Sequence, residues 1–529
     1  MTLTFLDIFK IVVVLISAAD FIIYAMLFLS YMIYVPFKTI ELSKKIISIG
    51  IMFFLIIFKI CYIPIFVSPM KSVIKYDIPG GEIIITILTY LNVSFSIIPL
   101  FLSTYTLFLK HFELYNNGIQ TYERDKIINI IMPIYNEKPQ SLLNAIESVK
   151  KLHYPKELIH LYLSFDEGVF ENGHNSSAFL TILSEFGFLE SDTRERIDCV
   201  VDGLQISICR FKHGGKKSAQ YGAFKEMELD NRELQNSLIF FIDSDIILKS
   251  DSLDEFTKYM KYYDKSALTG MITCVTKNQK SFLSYYQDSE YISGQIFWRN
   301  LESYCGSTIC LPGAFTIMKY SFIKKVSDVY FFDGNKYTDN SDYQRFYLGE
   351  DRYLTHLLME VESWQLGFCE SACCKTYAPD GILELLKQRK RWYLGHLSND
   401  VWMLCSINLW KMYPLLSLFN LFNNIRNVSI YIYLLYFAFL LNMVGTSVIH
   451  WFIFIILPTA LNFIFIVLYT LKINRKMNIP FYLLFIIFQP IINMVYMYYT
   501  IFHINENSWG GVRTVQDKPT IETIQENSL

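Results

Sequence analysis

Gly349-Glu350-Asp351-Arg352 and Gln388-Arg389-Lys390-Arg391-Trp392 are the two clusters whose side chains suit chemistry on an anionic ligand with a flat ring. A carboxylate can take a proton from a hydroxyl, arginines grip a diphosphate through paired hydrogen bonds, and an indole offers a face to a sugar-like ring. The stretch from Tyr353 to Met359 has amphipathic helical spacing, which puts Glu350 and Asp351 at a helix N-terminus where free N–H groups stabilise anions. Plain capping with an Arg352 ion pair accounts for the same residues; a base working near neutral pH needs burial or a second acid nearby, which Glu350 can supply. In the second cluster, residues three and four apart share a helix face, so Gln388, Arg391 and Trp392 point the same way. A basic helix lying on anionic lipid explains Lys387 and Lys390 equally well, but explains the Gln and the Trp less well.

Asp243 and Asp245 follow the apolar run Ser237 to Ile242. Such oxygen ligands suit Mg2+ or Mn2+ held jointly with substrate phosphates, those of a nucleotide diphosphate above all. By itself this spacing is a weak signal. Two further apolar runs end in the same way, Lys126 to Tyr135 at Asn136-Glu137 and Leu158 to Ser164 at Asp166-Glu167. Strands apolar throughout mark a parallel sheet covered by helices on both faces, where ligands bind beyond the carboxyl ends of the strands. The acids are therefore expected at one rim, although for Asp166 alone a helix cap is an equally good reading. His213-Gly214-Gly215-Lys216-Lys217, just before a helix near Ser218 to Ala223, is either a flexible basic turn or a loop holding nucleotide phosphate. No G-x-G-x-x-G follows the first strand and no G-x-x-x-x-G-K-[ST] occurs, which disfavours dehydrogenase-type and P-loop nucleotide sites.

These clusters lie between two sets of apolar segments. The 529 residues are 52% hydrophobic and 16% aromatic with a net charge of −2, too apolar for an ordinary soluble enzyme of this size. Stretches near 11–34, 46–68, 83–109, 427–449 and 451–471 are long enough to span a bilayer, and a sixth near 478–502 is interrupted by Pro490. Residues 112–400 have ordinary polarity and hold the chemistry. Lys38, Lys44, Lys45, Lys110, Lys472, Arg475 and Lys476 orient that block to the cytosol, against a weak counter-vote from Lys71 and Lys75. The first stretch lacks a cleavage pattern and reads as an anchor; its Asp20 is as readily a hydrated helix end as a functional group. Ten cysteines and nine histidines are dispersed, with no zinc-site spacing or disulfide framework, so reduced thiols are expected.

As an ordered set, Pro133-Ile-Tyr135-Asn-Glu137, Asp166, Gly-Gly-Lys-Lys217, Asp243-Ser-Asp245, Cys310-Leu311-Pro312-Gly313, Gly-Glu-Asp-Arg352, Cys374-Lys-Thr-Tyr-Ala-Pro-Asp380, Gln-Arg-Lys-Arg-Trp392 and Ser508-Trp509-Gly510 resembles a processive family 2 glycosyltransferase, most closely a chitin synthase. The resemblance implies a glycosyltransferase-A-like α/β domain inserted between transmembrane helices in a polytopic membrane protein of the plasma membrane or its vesicles. It implies that Pro133, Tyr135, Glu137, Asp166 and Lys217 hold the uridine end of UDP-GlcNAc, and that Asp243 and Asp245 bind Mg2+ or Mn2+. Asp351, helped by Glu350, would be the base that deprotonates the acceptor. Gln388, Arg389, Arg391 and Trp392 would bind diphosphate and acceptor sugar. Leu311, Pro312, Gly313, Ser508, Trp509 and Gly510 would belong to the channel mouth and gate. The implied reaction is a metal-dependent, inverting transfer of GlcNAc onto a growing chitin chain, which is then translocated across the bilayer. No nucleic-acid partner is expected, and a homodimer is plausible by family analogy.

This sequence departs from the pattern at Ser508-Trp-Gly-Gly511, where a threonine is usual, and at Lys390 between two arginines. For Trp509 to reach a cytosolic site, 478–502 is expected to be a Pro490-kinked interfacial or re-entrant helix. The expected divisions are 1–111 (three spans), 112–400 (cytosolic glycosyltransferase domain), 401–426 (interfacial helices), 427–503 (transmembrane or re-entrant) and 504–529 (gating segment and tail). Other processive β-glycan synthases, a lipid-acceptor glycosyltransferase and a transporter with a regulatory domain are the alternatives. The few ionisable residues in the apolar segments weigh against the last.

Overall fold

A computed structural model describes residues 124–167, 176–189, 194–230, 233–275, 282–332, 340–379, 381–426, 457–472 and 479–504. The expected spans before residue 110, that at 427–449, Asp20, Asp380 and the gate residues Ser508, Trp509 and Gly510 lie outside them. Described residues up to His396 belong to one compact unit and those from Leu397 to Phe502 to another.

Among the described residues, the first unit is built on nine strands: β1 (Ile128–Ile134), β2 (Ile159–Phe165), β3 (Arg196–Val201), β4 (Leu204–Arg210), β5 (Leu238–Ile242), β6 (Ile247–Leu248), β7 (Ala267–Cys274), β8 (Phe315–Lys319) and β9 (Leu366–Thr376). They lie in the order β3-β4-β2-β1-β5-β8-β7-β9-β6. The block β4-β2-β1-β5 is parallel, as the apolar runs predict. Beyond it β8 runs antiparallel to both β5 and β7, and at the other edge β3 is antiparallel to β4, so the sheet is mixed; β7 and β9 pair in parallel again. Every residue of β1, β2, β5 and β7 is buried, which requires cover on both faces. The polar residues inside β2 are hydrogen-bonded: His160 to the Ser207 hydroxyl at 2.7 Å, and Ser164 donating to the Ala219 carbonyl at 2.7 Å.

Helices α1 (Pro139–Lys150), α2 (Ser177–Glu185), α3 (Lys216–Leu229), α4 (Ser252–Tyr262), α5 (Phe282–Ser293), α6 (Glu350–Val361) and α7 (Ile382–Cys405) connect these strands or follow them. Two π-helical turns, Gly294–Arg299 after α5 and Gln344–Leu348 before α6, flank the elements that carry the chemistry. Turns of this kind are rare and recur at functional sites.

The second unit includes α8 (Pro414–Arg426), α9 (Leu457–Lys472) and α10 (Ile479–Phe502). Helix α9 overlaps the segment expected to span at 451–471. Among the described residues, no single helix is long and apolar enough to cross a membrane, but Pro480–Gln489 and Ile491–Phe502 together are, with a bend of 54° between them. The break between the two segments falls at Pro490, a residue type without an N–H to donate to a helical hydrogen bond.

Candidate active site

Past the carboxyl end of β1 the chain turns at Asn136, which takes the left-handed conformation (φ +47°) that asparagine tolerates better than most residues. Just before it, the Tyr135 ring stacks on His213 with centroids 4.6 Å apart. Asp166, at the end of β2 and 2% exposed, anchors the glycine loop. Its carboxylate accepts from the Gly214 and Gly215 N–H groups, each at 2.9 Å, and lies 3.0 Å from His213 Nδ1. Gly215 has φ +86°, which a side chain would strain, and it leads directly into α3. Tyr135, Asp166 and the glycine loop thus form one structure. Glu137 is half-buried just beyond it, and Pro133 is buried within β1.

Consecutive residues on a helix diverge by about 100°, and the two lysines that open α3 separate accordingly. Lys217, 5% exposed, enters a cage of Tyr330, Tyr353 and Tyr347, whose ring centroids lie 4.8, 5.5 and 5.7 Å from its Nζ. Lys216 instead reaches Asp243 at 2.6 Å and Glu350 at 3.7 Å. The lysine brought to the acidic rim is therefore the one to which the resemblance assigned no separate role. Burial would lower the Lys216 ammonium, but Asp243 and Glu350 outweigh it and hold it above the usual lysine range.

Asp245 accepts a hydrogen bond from the Thr376 hydroxyl at 3.1 Å. Burial, and then the neighbouring Asp243, push its carboxyl up. Burial and Asp351 likewise push Glu350 up to about 7, against the pull of Lys216. Crowding of like charges contributes to both shifts, and a cation placed among the carboxylates relieves that repulsion. Among the described residues, no group of three or more His, Cys, Asp or Glu is arranged to hold a metal. Asp243 and Asp245 alone nevertheless fit Mg2+ or Mn2+, which typically takes one or two protein carboxylates and completes its shell with water and substrate phosphates.

The π-turn ends with the Gly349 N–H donating to the Gln344 carbonyl at 2.9 Å, and α6 starts there. Asp351, half-buried, accepts from the Arg352 N–H at 2.8 Å and from the Cys310 thiol at 3.3 Å. The Thr355 hydroxyl donates to the Asp351 carbonyl at 2.6 Å and accepts from the Leu311 N–H at 2.8 Å. A side chain at Gly313 would begin 3.2 Å from Lys216 Nζ. Leu311-Pro312-Gly313 therefore lies between Asp351 and Lys216, beside the acidic centre.

In α7, Arg389 is 4% exposed and ion-paired with Glu290 of α5. Its guanidinium also lies 4.1 Å from the centre of the Trp392 ring and donates to Gln388 Oε1 at 3.0 Å. Tyr291 stacks on Trp392 at 6.1 Å and 26°, and Gln287 reaches Gln388 at 3.5 Å. Arg389 thus fixes the indole from behind. Trp392 remains 37% exposed, and Arg391 is close enough to weigh on both Lys216 and Glu350. Sequence reasoning missed Gln287, Glu290, Tyr291 and Thr355, and named Lys216 and Cys310 only within their motifs, without a role of their own. The spacing of Gln287, Glu290 and Tyr291, which puts them on one helix face, was the available signal.

A sequence profile of the family described as chitin synthase matches residues 232–528. Similar curated proteins include chitin synthase G of Aspergillus niger (37% identical over 420 residues, covering 76% of this chain and 54% of that one). Chitin synthase D of Aspergillus fumigatus is 37% identical over 403 residues (73% and 52%), and chitin synthase VI of Metarhizium acridum 36% over 412 residues (75% and 63%). The chain spans between half and two thirds of the length of these relatives. The profile covers more than half of the chain, including both the Gly349–Arg352 and the Gln388–Trp392 clusters and the Asp243–Asp245 pair, and on that ground the chain belongs to the chitin synthase family.

Proposed function

We propose that this chain transfers GlcNAc from UDP-GlcNAc to the end of a growing β-1,4 chitin chain and passes the product across a membrane. The observation that carries this reading is the placement of Lys216 between Asp243 and Glu350, with Asp351 next in sequence to the latter. A cation flanked by carboxylates at the rim of a sheet suits a departing diphosphate, and the adjoining carboxylate suits an incoming hydroxyl.

In this mechanism the Tyr135–His213 stack and the Asp166-anchored loop receive the uridine end, together with Pro133 and Glu137. Lys216 and Arg391 neutralise the diphosphate, and Lys217 keeps the first turn of α3 in place from within its tyrosine cage. Asp243 and Asp245 would hold Mg2+ or Mn2+, which supplies further positive charge to the phosphates. Trp392, braced by Arg389 and Tyr291 and flanked by Gln388, offers its face to the acceptor sugar. Asp351 takes the proton of the acceptor hydroxyl as that oxygen bonds to the anomeric carbon. The bond from that carbon to the diphosphate breaks, its electron pair leaves on UDP, and the configuration inverts. The Arg352 N–H and the Cys310 thiol orient the base.

The membrane part of the proposal rests on the apolar segments. The chain would be multi-pass with its catalytic unit cytosolic, the bent α10 would be re-entrant or interfacial, and Ser508-Trp509-Gly510 would close over the nucleotide. Membranes carrying the protein, given UDP-GlcNAc and Mg2+ or Mn2+, are expected to form an insoluble polymer that chitinase digests and that a chelator prevents. An extractable glycolipid as sole product would establish the lipid-acceptor alternative, and no transfer at all would refute the reading.

A further inference from the structure

The two halves of the proposed site approach each other backbone to backbone at Gly395 and Gly349. A methyl group added at Gly395 would lie 2.7 Å from Gly349 Cα, 2.8 Å from Gly349 N and 2.9 Å from the Leu348 carbonyl carbon. None of these is a flexible side-chain end that can swing aside. Gly349 is itself tied on both sides: its N–H donates to the Gln344 carbonyl at 2.9 Å and its carbonyl accepts from the Tyr353 N–H at 2.9 Å. Gly395 follows Trp392 by three residues and Arg391 by four, so it shares their face of α7. That face is pressed against the residue immediately before Glu350 and Asp351.

We propose that Gly395 is a positioning residue for glycosyl transfer, setting the gap between the acceptor platform on α7 and the carboxylates at the start of α6. The inference deepens the glycosyltransferase reading and rests on it. Carbon atoms pack comfortably at about 3.5–4.0 Å, so an alanine here forces α7 to retreat by about 1 Å. A displacement of about that size between reacting groups lowers turnover about 100-fold. The Tyr135, Asp166 and His213 side of the site does not involve this contact, so binding of the uridine end is independent of it, whereas Arg391 moves with α7.

The test uses the full chain in membranes. Gly395→Ala is expected to form polymer about 100-fold more slowly, to bind UMP, which probes the uridine end, as the wild type does, and to release more UDP per GlcNAc incorporated, because the donor is activated while the acceptor is misplaced. Gly381→Ala, in the turn that opens α7, meets nothing within 4 Å and should leave all three readouts unchanged. Wild-type polymer synthesis by Gly395→Ala would overturn the proposal. Parallel loss of UMP binding, failure to fold included, would also overturn it by making the contact merely structural, as would an equal effect of Gly381→Ala. A wild-type protein that forms no polymer from UDP-GlcNAc refutes the function instead, an outcome separate from any of these.

Discussion

Asp351→Asn is expected to reduce polymer formation by between about 100-fold and 10,000-fold, the range over which a positioned general base contributes, while UDP binding stays near the wild-type level. The asparagine keeps the shape of the side chain and its oxygen can still accept from the Arg352 N–H or the Cys310 thiol, so the turn at the start of α6 is preserved. What disappears is the capacity to take a proton. Glu350 does not replace it, because Glu350 is buried and turned toward Lys216. Steady-state incorporation from UDP-GlcNAc beside calorimetric UDP binding separates the two effects. A loss of UDP binding equal to the loss of rate would assign Asp351 a structural role.

Lys216→Met and Lys217→Met should behave oppositely although the residues are adjacent. Lys216 is the cation within reach of both Asp243 and Glu350, and removing a donor of this kind from a preorganised site lowers turnover about 100- to 1,000-fold. It also leaves two partly buried carboxylates facing each other, so Lys216→Met is expected to weaken UDP binding as well. Lys217 touches three tyrosine rings, contacts of about 0.5–2 kcal/mol each. Lys217→Met keeps most of the packing, so it should lower the melting temperature of the catalytic unit while leaving turnover within about threefold. The opposite pattern, with Lys217→Met inactive and Lys216→Met active, would move the phosphate role to Lys217.

That pair also marks where the sequence stops being readable. The glycine loop, the strands ending in Asp166 and Asp243, and the acids opening α6 were legible because each depends on local pattern: apolar runs, turn residues and a helix start. Which of two neighbouring lysines faces the acids depends on the rotation of α3 against the sheet, and that is set by tertiary packing such as the Ser164 bond to Ala219. Arg389 carries the same lesson. Its type and spacing suit phosphate, yet Glu290 sits across from it on α5 and draws it inside. The antiparallel β8 within a sheet that begins parallel was invisible for a related reason: strand direction is decided by chain crossover and leaves no mark on an apolar run such as Phe315–Met318. The Gly395–Gly349 contact leaves no trace in spacing at all, since it joins residues from separate elements.

The central claim is that a nucleotide diphosphate is held at the rim where Asp243, Asp245 and Lys216 converge. It is tested most directly by calorimetric titration of UDP into the wild-type protein and the Asp243→Asn/Asp245→Asn variant, each with and without Mn2+. Two carboxylates need substrate phosphates to complete a metal site, so UDP should bind the wild type markedly more tightly with Mn2+ than without it, and that gain should vanish in the double variant. A gain from Mn2+ that survives the loss of both aspartates, or UDP binding indifferent to the metal in the wild type, would contradict the account.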